Sequence, residues 1–105
     1  MDGLDEVQLA CFNIISEVGA ARSSYIEAID SAIAGDRDEA SRLVAEGDEC
    51  YARGHEIHTS LIQQEAAGQD VSFQLILLHA EDQLMSAETF KILTERFMAL
   101  AERLA

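Results

Sequence analysis

Apolar residues recur at helical spacing along nearly the whole chain. In the first third, alternating steps of three and four connect the residues of one helix face: Leu4, Val7, Cys11, Ile14, Val18, Ala21, Tyr25, Ala28 and Ala32. Gly35 follows this stripe, and glycine is common just past the end of a helix. The pattern predicts one long helix that ends at Gly35.

A second helix is predicted to begin at Asp36. Asp36 and Glu39 have the spacing of a capping box, in which the side chains at a helix start bond to backbone N–H groups. The apolar stripe that follows contains Ala40, Leu43, Gly47, Cys50, Gly54, Ile57 and Leu61. Its two glycines indicate a close approach to another helix, and Gly68 predicts the end of the element.

A third helix is predicted to run to the C-terminus, with Asp70 or Ser72 as its cap. One face of it contains Ile76, His79, Gln83, Ser86, Phe90, Leu93, Phe97, Leu100 and Leu104, which places His79 on the buried side. A second stripe contains Leu75, Leu78, Asp82, Met85 and Ile92. The apolar surface is wider than a three-helix core needs, so we expect the chain to self-associate.

Three long helices with two short connections predict an all-α, antiparallel up-down-up three-helix bundle, formed by residues 1–105 as a single domain. The composition agrees with this fold class, because proline is absent and aromatic residues make up only 6% of the chain. We find no internal repeat and no linker.

The chain carries a formal net charge of −13, which disfavours binding to nucleic acid or to anionic lipid. A partner with a basic surface is the better expectation. The first residues lack the pattern of a signal peptide, and no apolar run is long enough to span a bilayer. We therefore expect a cytoplasmic protein without membrane insertion. Cys11 and Cys50 match no metal-binding or redox spacing and are expected to be buried free thiols.

His79 is the first candidate for chemistry, although a lone histidine on an apolar face is more often a hydrogen-bonded core residue. Asp82 lies one turn further on, and a buried aspartate must be paired, protonated or bound to a metal. A solvated Asp82 at the edge of the bundle is the alternative. His55 and His58 could join these two as metal ligands, but the spacing is only a weak signal for this, and a position on a polar helix surface is the better expectation.

Several catalytic patterns are absent. A di-iron bundle needs a glutamate three residues before a histidine, and no histidine of this chain has one. The zinc-protease pattern His-Glu-x-x-His also fails, because His58 follows His55 one residue too early. A hydrolase triad and a glycine-rich phosphate loop are missing as well. If the protein handles phosphate, a side chain must carry it.

The sequence resembles the enzyme IIA proteins of the lactose and cellobiose/chitobiose class of the bacterial sugar phosphotransferase system. The similarity covers nearly the whole chain. It rests on Phe12-Asn13-Ile14-Ile15, Gly19-Ala20-Ala21-Arg22-Ser23, Ala34-Gly35-Asp36, His55 with Thr59, and most specifically His79-Ala80-Glu81-Asp82-Gln83-Leu84-Met85.

The resemblance implies a phosphocarrier. The histidine that matches His79 accepts a phosphoryl group from the phosphocarrier protein HPr and passes it to a cysteine of enzyme IIB. Members of the family resemble the bundle predicted above and form homotrimers. The aspartate that matches Asp82 gathers at the three-fold axis around a divalent metal ion, for which Mg²⁺ is our expectation.

The chain departs from the family pattern at four positions. The usual motif is His-Ala-Gln-Asp-His-Leu-Met, and here Glu81 and Gln83 replace the glutamine and the second histidine. Gly54 and His58 likewise replace an alanine and a glutamine of the second helix. An alternative function is therefore a structural interaction module that has lost phosphotransfer.

One other class of protein and three candidate cations remain to be considered. A histidine phosphotransfer domain of two-component signalling is disfavoured, because those bundles usually follow the histidine with lysine and glycine. Arg22, Arg53 and Lys91 are the cations that could contact phosphate or a partner, and a solvated surface position is the alternative for each.

Overall fold

The computed structural model describes residues 5–105 and contains three helices, α1 (Glu6–Ile33), α2 (Arg37–Ala66) and α3 (Leu75–Leu104). The predicted all-α bundle is confirmed, and residues 5–105 contain no strand. α2 and α3 both pack along α1 and make few contacts with each other, in a body of 52 × 27 × 19 Å. The expected start of the first stripe at Leu4 lies outside the described residues. No helix within residues 5–105 combines the length and apolarity needed to cross a membrane.

Side chains cap the first two helices. Asp5 accepts a bond of 2.7 Å from the backbone N–H of Gln8, whose side chain accepts one of 3.1 Å from Asp5, and together they form a capping box. Asp36 caps α2 as predicted, by accepting a bond of 3.1 Å from the backbone of Glu39. The Glu39 side chain is bound to Arg42 instead of completing the box.

Glycine terminates α1 and α2 at the predicted positions. Gly35 and Gly68 each have a φ of +85°, in the left-handed region that favours glycine. The turns that follow are therefore specified by the sequence.

The predicted cap of α3 is wrong. The residue before the first turn is Gln74, which makes no capping bond, and neither Asp70 nor Ser72 begins the helix. Two contacts favour the extended connection that precedes α3. Val71 packs against the core, and the Gln74 side chain donates a bond of 3.3 Å to Asp5.

The core confirms the stripe predicted for α1 and most of that predicted for α2. Its buried apolar residues are Cys11, Ile14, Val18, Ala21, Tyr25 and Ala28 from α1, Ala40, Leu43, Cys50 and Leu61 from α2, and Ala80, Leu84 and Ala87 from α3. Both cysteines are free and buried, as expected. Burial first, then the charges of Glu81 and Asp5, raise the pKa of the Cys11 thiol.

Two glycines of α2 permit close contact with α1, as the sequence indicated. A Cβ atom at Gly47 would lie 2.7 Å from Cε1 of Tyr25. A Cβ atom at Gly54 would lie 2.7 Å from Cγ1 of Val18. Both distances are too short for a real contact, so alanine at either position would force the neighbouring side chain or the helix to move.

The core face of α3 is rotated relative to the predicted face, because each buried residue lies one position after a residue that was predicted to be buried. Ala80, Leu84, Ala87 and Thr94 are buried, whereas His79 is exposed. Small residues allow α3 to approach α1, and Thr94 is tolerated there because its hydroxyl donates a bond of 2.6 Å to the carbonyl of Phe90. The prediction that His79 faces the core is therefore wrong.

The surplus apolar surface predicted for α3 is present. Leu75, Leu78, Met85, Ile92, Leu93, Phe97, Leu100 and Leu104 are all exposed, with exposed fractions from 46% to 82%. Exposed apolar surface of this extent on one helix is typical of an interaction site.

Candidate functional site

His79 begins the second turn of α3 and is exposed to solvent. At about 100° per residue it lies to one side of the core face formed by Ala80, Leu84 and Ala87. Gln83 lies one turn further on and about 40° around the helix on the same flank, whereas Glu81 lies about 200° away. His79 and Gln83 therefore share a flank of α3, and Glu81 belongs to the other.

Asp82 is also exposed, so the expectation of a buried aspartate is wrong for the single chain. Exposed apolar residues lie one turn before and one turn after it, Leu78 and Met85. Within residues 5–105, no group of three or more His, Cys, Asp or Glu side chains is arranged to hold a metal ion. Asp82 is therefore not part of a multi-residue metal site within these residues of a single chain.

Gln83 is bound to the first helix. Arg22 of α1 donates from Nη1 to Oε1 of Gln83 over 2.7 Å, and the pair is partly buried. Arginine has only donors, so the glutamine must present its oxygen to it. This bond places a guanidinium group beside the flank of α3 that contains His79.

Glu81 is bound to the second helix. His58 Nε2 lies 2.6 Å from Oε1 of Glu81, and the imidazole side chain is 17% exposed. With an ionised carboxylate, which only accepts hydrogen bonds, Nε2 of His58 is the donor of this contact. Two positions at which the chain departs from the family pattern are thus each other's partners.

His55 lies in a shallow cavity of about 480 Å³ beside Lys91 of α3, which is also lined by Asp48, Tyr51 and Thr59. Its ring centroid is 5.9 Å from that of Tyr51. Tyr51 donates a bond of 3.2 Å to Glu88, and burial followed by the charge of Glu88 raises the pKa of Tyr51. His55 and His58 therefore face the groove between α2 and α3, and one chain does not bring them together with His79 and Asp82.

The other two candidate cations are neutralised within the chain. Arg53 donates to Glu17 over 2.8 Å, and Lys91 lies 3.2 Å from Asp48. Arg22 is different because its partner is a neutral amide. Sequence periodicity could not reveal this contact, since it joins two helices at positions 61 residues apart.

Comparison with known proteins supports the resemblance. The family model described as "PTS system, Lactose/Cellobiose specific IIA subunit" matches residues 9–102. The lactose-specific EIIA component of the phosphotransferase system of Staphylococcus epidermidis is 37% identical over 99 residues, which cover 94% of this chain and 95% of that protein. The lichenan-specific phosphotransferase enzyme IIA component of Bacillus subtilis is 36% identical over 100 residues, which cover 95% of this chain and 91% of that protein.

A solved structure has the same fold. The crystal structure of the cellobiose-specific enzyme IIA from Bacillus anthracis superimposes with a TM-score of 0.93 and 33% sequence identity. The match covers 97% of this chain and 94% of that one. Similarity at this level extends over the helices that carry all the residues described above.

Proposed function

Because the chain belongs to the lactose/cellobiose-specific IIA family of the sugar phosphotransferase system, we propose that it is a cytoplasmic phosphocarrier that accepts a phosphoryl group on His79. Members of this family are components of the sugar phosphotransferase system, so a role in phosphotransfer follows from membership. The observation that carries the proposal is the exposure of His79, since a carrier must be reached by both a donor and an acceptor protein.

The first step transfers the phosphoryl group from a histidine of HPr. A neutral imidazole nitrogen of His79 attacks phosphorus with its lone pair, and the N–P bond on HPr breaks with its electrons returning to the donor imidazole. Each ring keeps a proton on its other nitrogen. The step therefore needs no nucleotide and no external base.

The second step transfers the group to a cysteine of enzyme IIB. The thiolate attacks phosphorus and an S–P bond forms, while the N–P bond on His79 breaks and its electron pair returns to the imidazole. His79 is then neutral, with the proton still on its second nitrogen. The negative charge of the chain favours encounters with partners whose docking faces are basic.

We propose in addition that the protein is a homotrimer in which Asp82 of each copy meets at the three-fold axis. The support is the exposed apolar surface on both sides of Asp82, which a second and third copy would bury. The donor chemistry fits a divalent ion such as Mg²⁺, because carboxylate oxygens are its usual protein ligands. Bound there, the ion would offset the repulsion among three carboxylates.

Incubation with phosphorylated HPr tests the proposal, with the mass of the intact protein as the readout. A phosphocarrier gains one phosphoryl group, and the group then disappears when enzyme IIB is added. A structural interaction module, the alternative function, binds partners without gaining this mass.

A further inference from the structure

Arg22 is a half-buried cation with a neutral partner in a chain that contains 20 aspartate and glutamate residues. Among the described residues, ion pairs join carboxylates to Arg37, Arg42, Arg53 and Lys91, but none includes Arg22. Guanidinium is always protonated in proteins and offers five N–H donors. The bond to Gln83 uses one donor, and no carboxylate within residues 5–105 forms an ion pair with the remaining positive charge.

The position of this charge connects it with the carrier histidine. Gln83 lies one turn beyond His79 on the same flank of α3, and Cβ atoms at this spacing are about 6 Å apart. The Arg22 guanidinium is held 2.7 Å from the end of the Gln83 side chain. An anion attached to His79 would therefore form within the field of Arg22.

We propose that Arg22 binds the phosphoryl group on His79 and that Gln83 is the positioning residue that holds the guanidinium ready for it. A guanidinium fork fits two oxygens of a phosphoryl group, and such charge-assisted bonds are about twice as strong as neutral ones. In the free protein the Gln83 amide accepts a hydrogen bond from one N–H group of Arg22. Because the amide is neutral, this bond stabilises the guanidinium charge less than a phosphoryl group would. The inference rests on the proposed function to the extent that His79 carries the group in the cell.

The test measures the ionisation of the phosphoryl group itself. Phosphoramidate phosphorylates histidine directly, so His79 can be modified without HPr, and the signal that is lost in His79→Gln identifies it by ³¹P NMR. A nearby guanidinium favours the dianion, so the phosphoryl pKa in the wild type should be lower than in Arg22→Gln by about one pH unit. Gln83→Ala should also raise the phosphoryl pKa above the wild-type value, but by less than Arg22→Gln does.

The equilibrium with HPr gives a second readout. In Arg22→Gln the equilibrium for transfer from phosphorylated HPr should be about tenfold less favourable, and Arg22→Lys should fall between, because lysine keeps the charge but not the fork. Arg53→Gln is the matched control: it removes the same charge from a cation already paired with Glu17, and both readouts should stay at the wild-type value.

Wild-type values in a folded Arg22→Gln protein, or equal changes in Arg22→Gln and Arg53→Gln, would overturn the inference. If Arg22→Gln does not fold, Arg22→Lys provides the test. A wild-type equilibrium for transfer from HPr in that variant would contradict the inference. Failure of the wild type to accept a group from HPr would contradict the proposed function instead, while the phosphoramidate experiment would still report on Arg22.

Discussion

Nε2 of His58 on α2 lies 2.6 Å from Oε1 of Glu81 on α3, and this pair joins two helices that otherwise contact each other little. Both residues replace glutamine in the family pattern quoted above. We interpret the two replacements as compensating, because together they form a hydrogen bond between an imidazole and a carboxylate, which is stronger than a bond between two neutral amides.

Truncation of this pair to alanine should show coupling. We expect His58→Ala and Glu81→Ala each to destabilise the protein, and the double variant to lose about 0.5–1 kcal/mol less than the sum, the range for a partly exposed pair. Urea denaturation of the four proteins measures this. Strict additivity would mean that the contact contributes nothing to stability.

Because α1 and α2 lie close together at Gly54, the Gly54→Ala substitution should destabilise the protein. The new Cβ atom would lie 2.7 Å from Cγ1 of Val18, and overpacking of this kind costs about 1–3 kcal/mol. Val18→Ala in the same chain should recover part of the loss. Gly19→Ala is the control, because a Cβ there meets nothing within 4 Å and should stabilise α1 by about 0.5–1 kcal/mol. Thermal unfolding distinguishes these outcomes, and a fully stable Gly54→Ala protein would contradict the packing described.

The buried phenol of Tyr25 should make the stability of the protein depend on pH in the alkaline range. Its hydroxyl donates a bond of 2.6 Å to Asp48, and burial followed by this bond raises the pKa of the phenol. A group with a raised pKa in the folded state contributes stability below its unfolded pKa of about 10 and loses it as the pH rises further. The free energy of unfolding should therefore fall above about pH 9, where Cys11 and Tyr51 act in the same direction.

Tyr25→Phe isolates the contribution of the hydroxyl. The ring still packs against Gly47, but the bond to Asp48 is lost, at a cost of about 1–2 kcal/mol near neutral pH. The alkaline decrease in stability should then be shallower than in the wild type. Urea denaturation at neutral and alkaline pH gives both quantities, and an identical alkaline slope would show that this phenol does not ionise on unfolding.

The sequence predicted the three helices because long amphipathic stripes and two terminal glycines leave little choice of structure. It did not predict the rotation of α3. Leu93, Phe97 and Leu100 look like core residues but are exposed, while Ala80, Ala87 and Thr94 are buried. Hydrophobicity alone cannot distinguish a core face from an exposed apolar face, because the side chains of both are apolar.

The candidate site was predictable only in part. His79 and Asp82 were identified from a local motif, although their exposure was not. The partners Arg22 and His58 belong to other helices, and their contacts depend on the relative rotation and translation of the helices. The four departures from the family pattern could be read from the sequence, but the pairing of two of them, His58 and Glu81, required the structure.

Asp82→Leu tests the proposed trimer. Chelation should weaken the wild-type trimer at neutral pH, because three converging carboxylates need a cation. The leucine variant should remain trimeric without metal, since apolar groups often replace buried charges without loss of stability. Sedimentation analysis of both proteins with and without chelator is the measurement. A wild type that is monomeric with metal, or a trimer indifferent to chelation, would contradict the proposal.

The central claim is that His79 carries the phosphoryl group, and peptide mass mapping after incubation with phosphorylated HPr tests it most directly. His55→Gln and His58→Gln serve as matched controls, because these residues face the other flank of α3 and can at most alter the rate. We predict one acid-labile phosphoryl group on His79 in the wild type and in both controls, and none in His79→Gln. A folded His79→Gln protein that still gains the group would contradict the account.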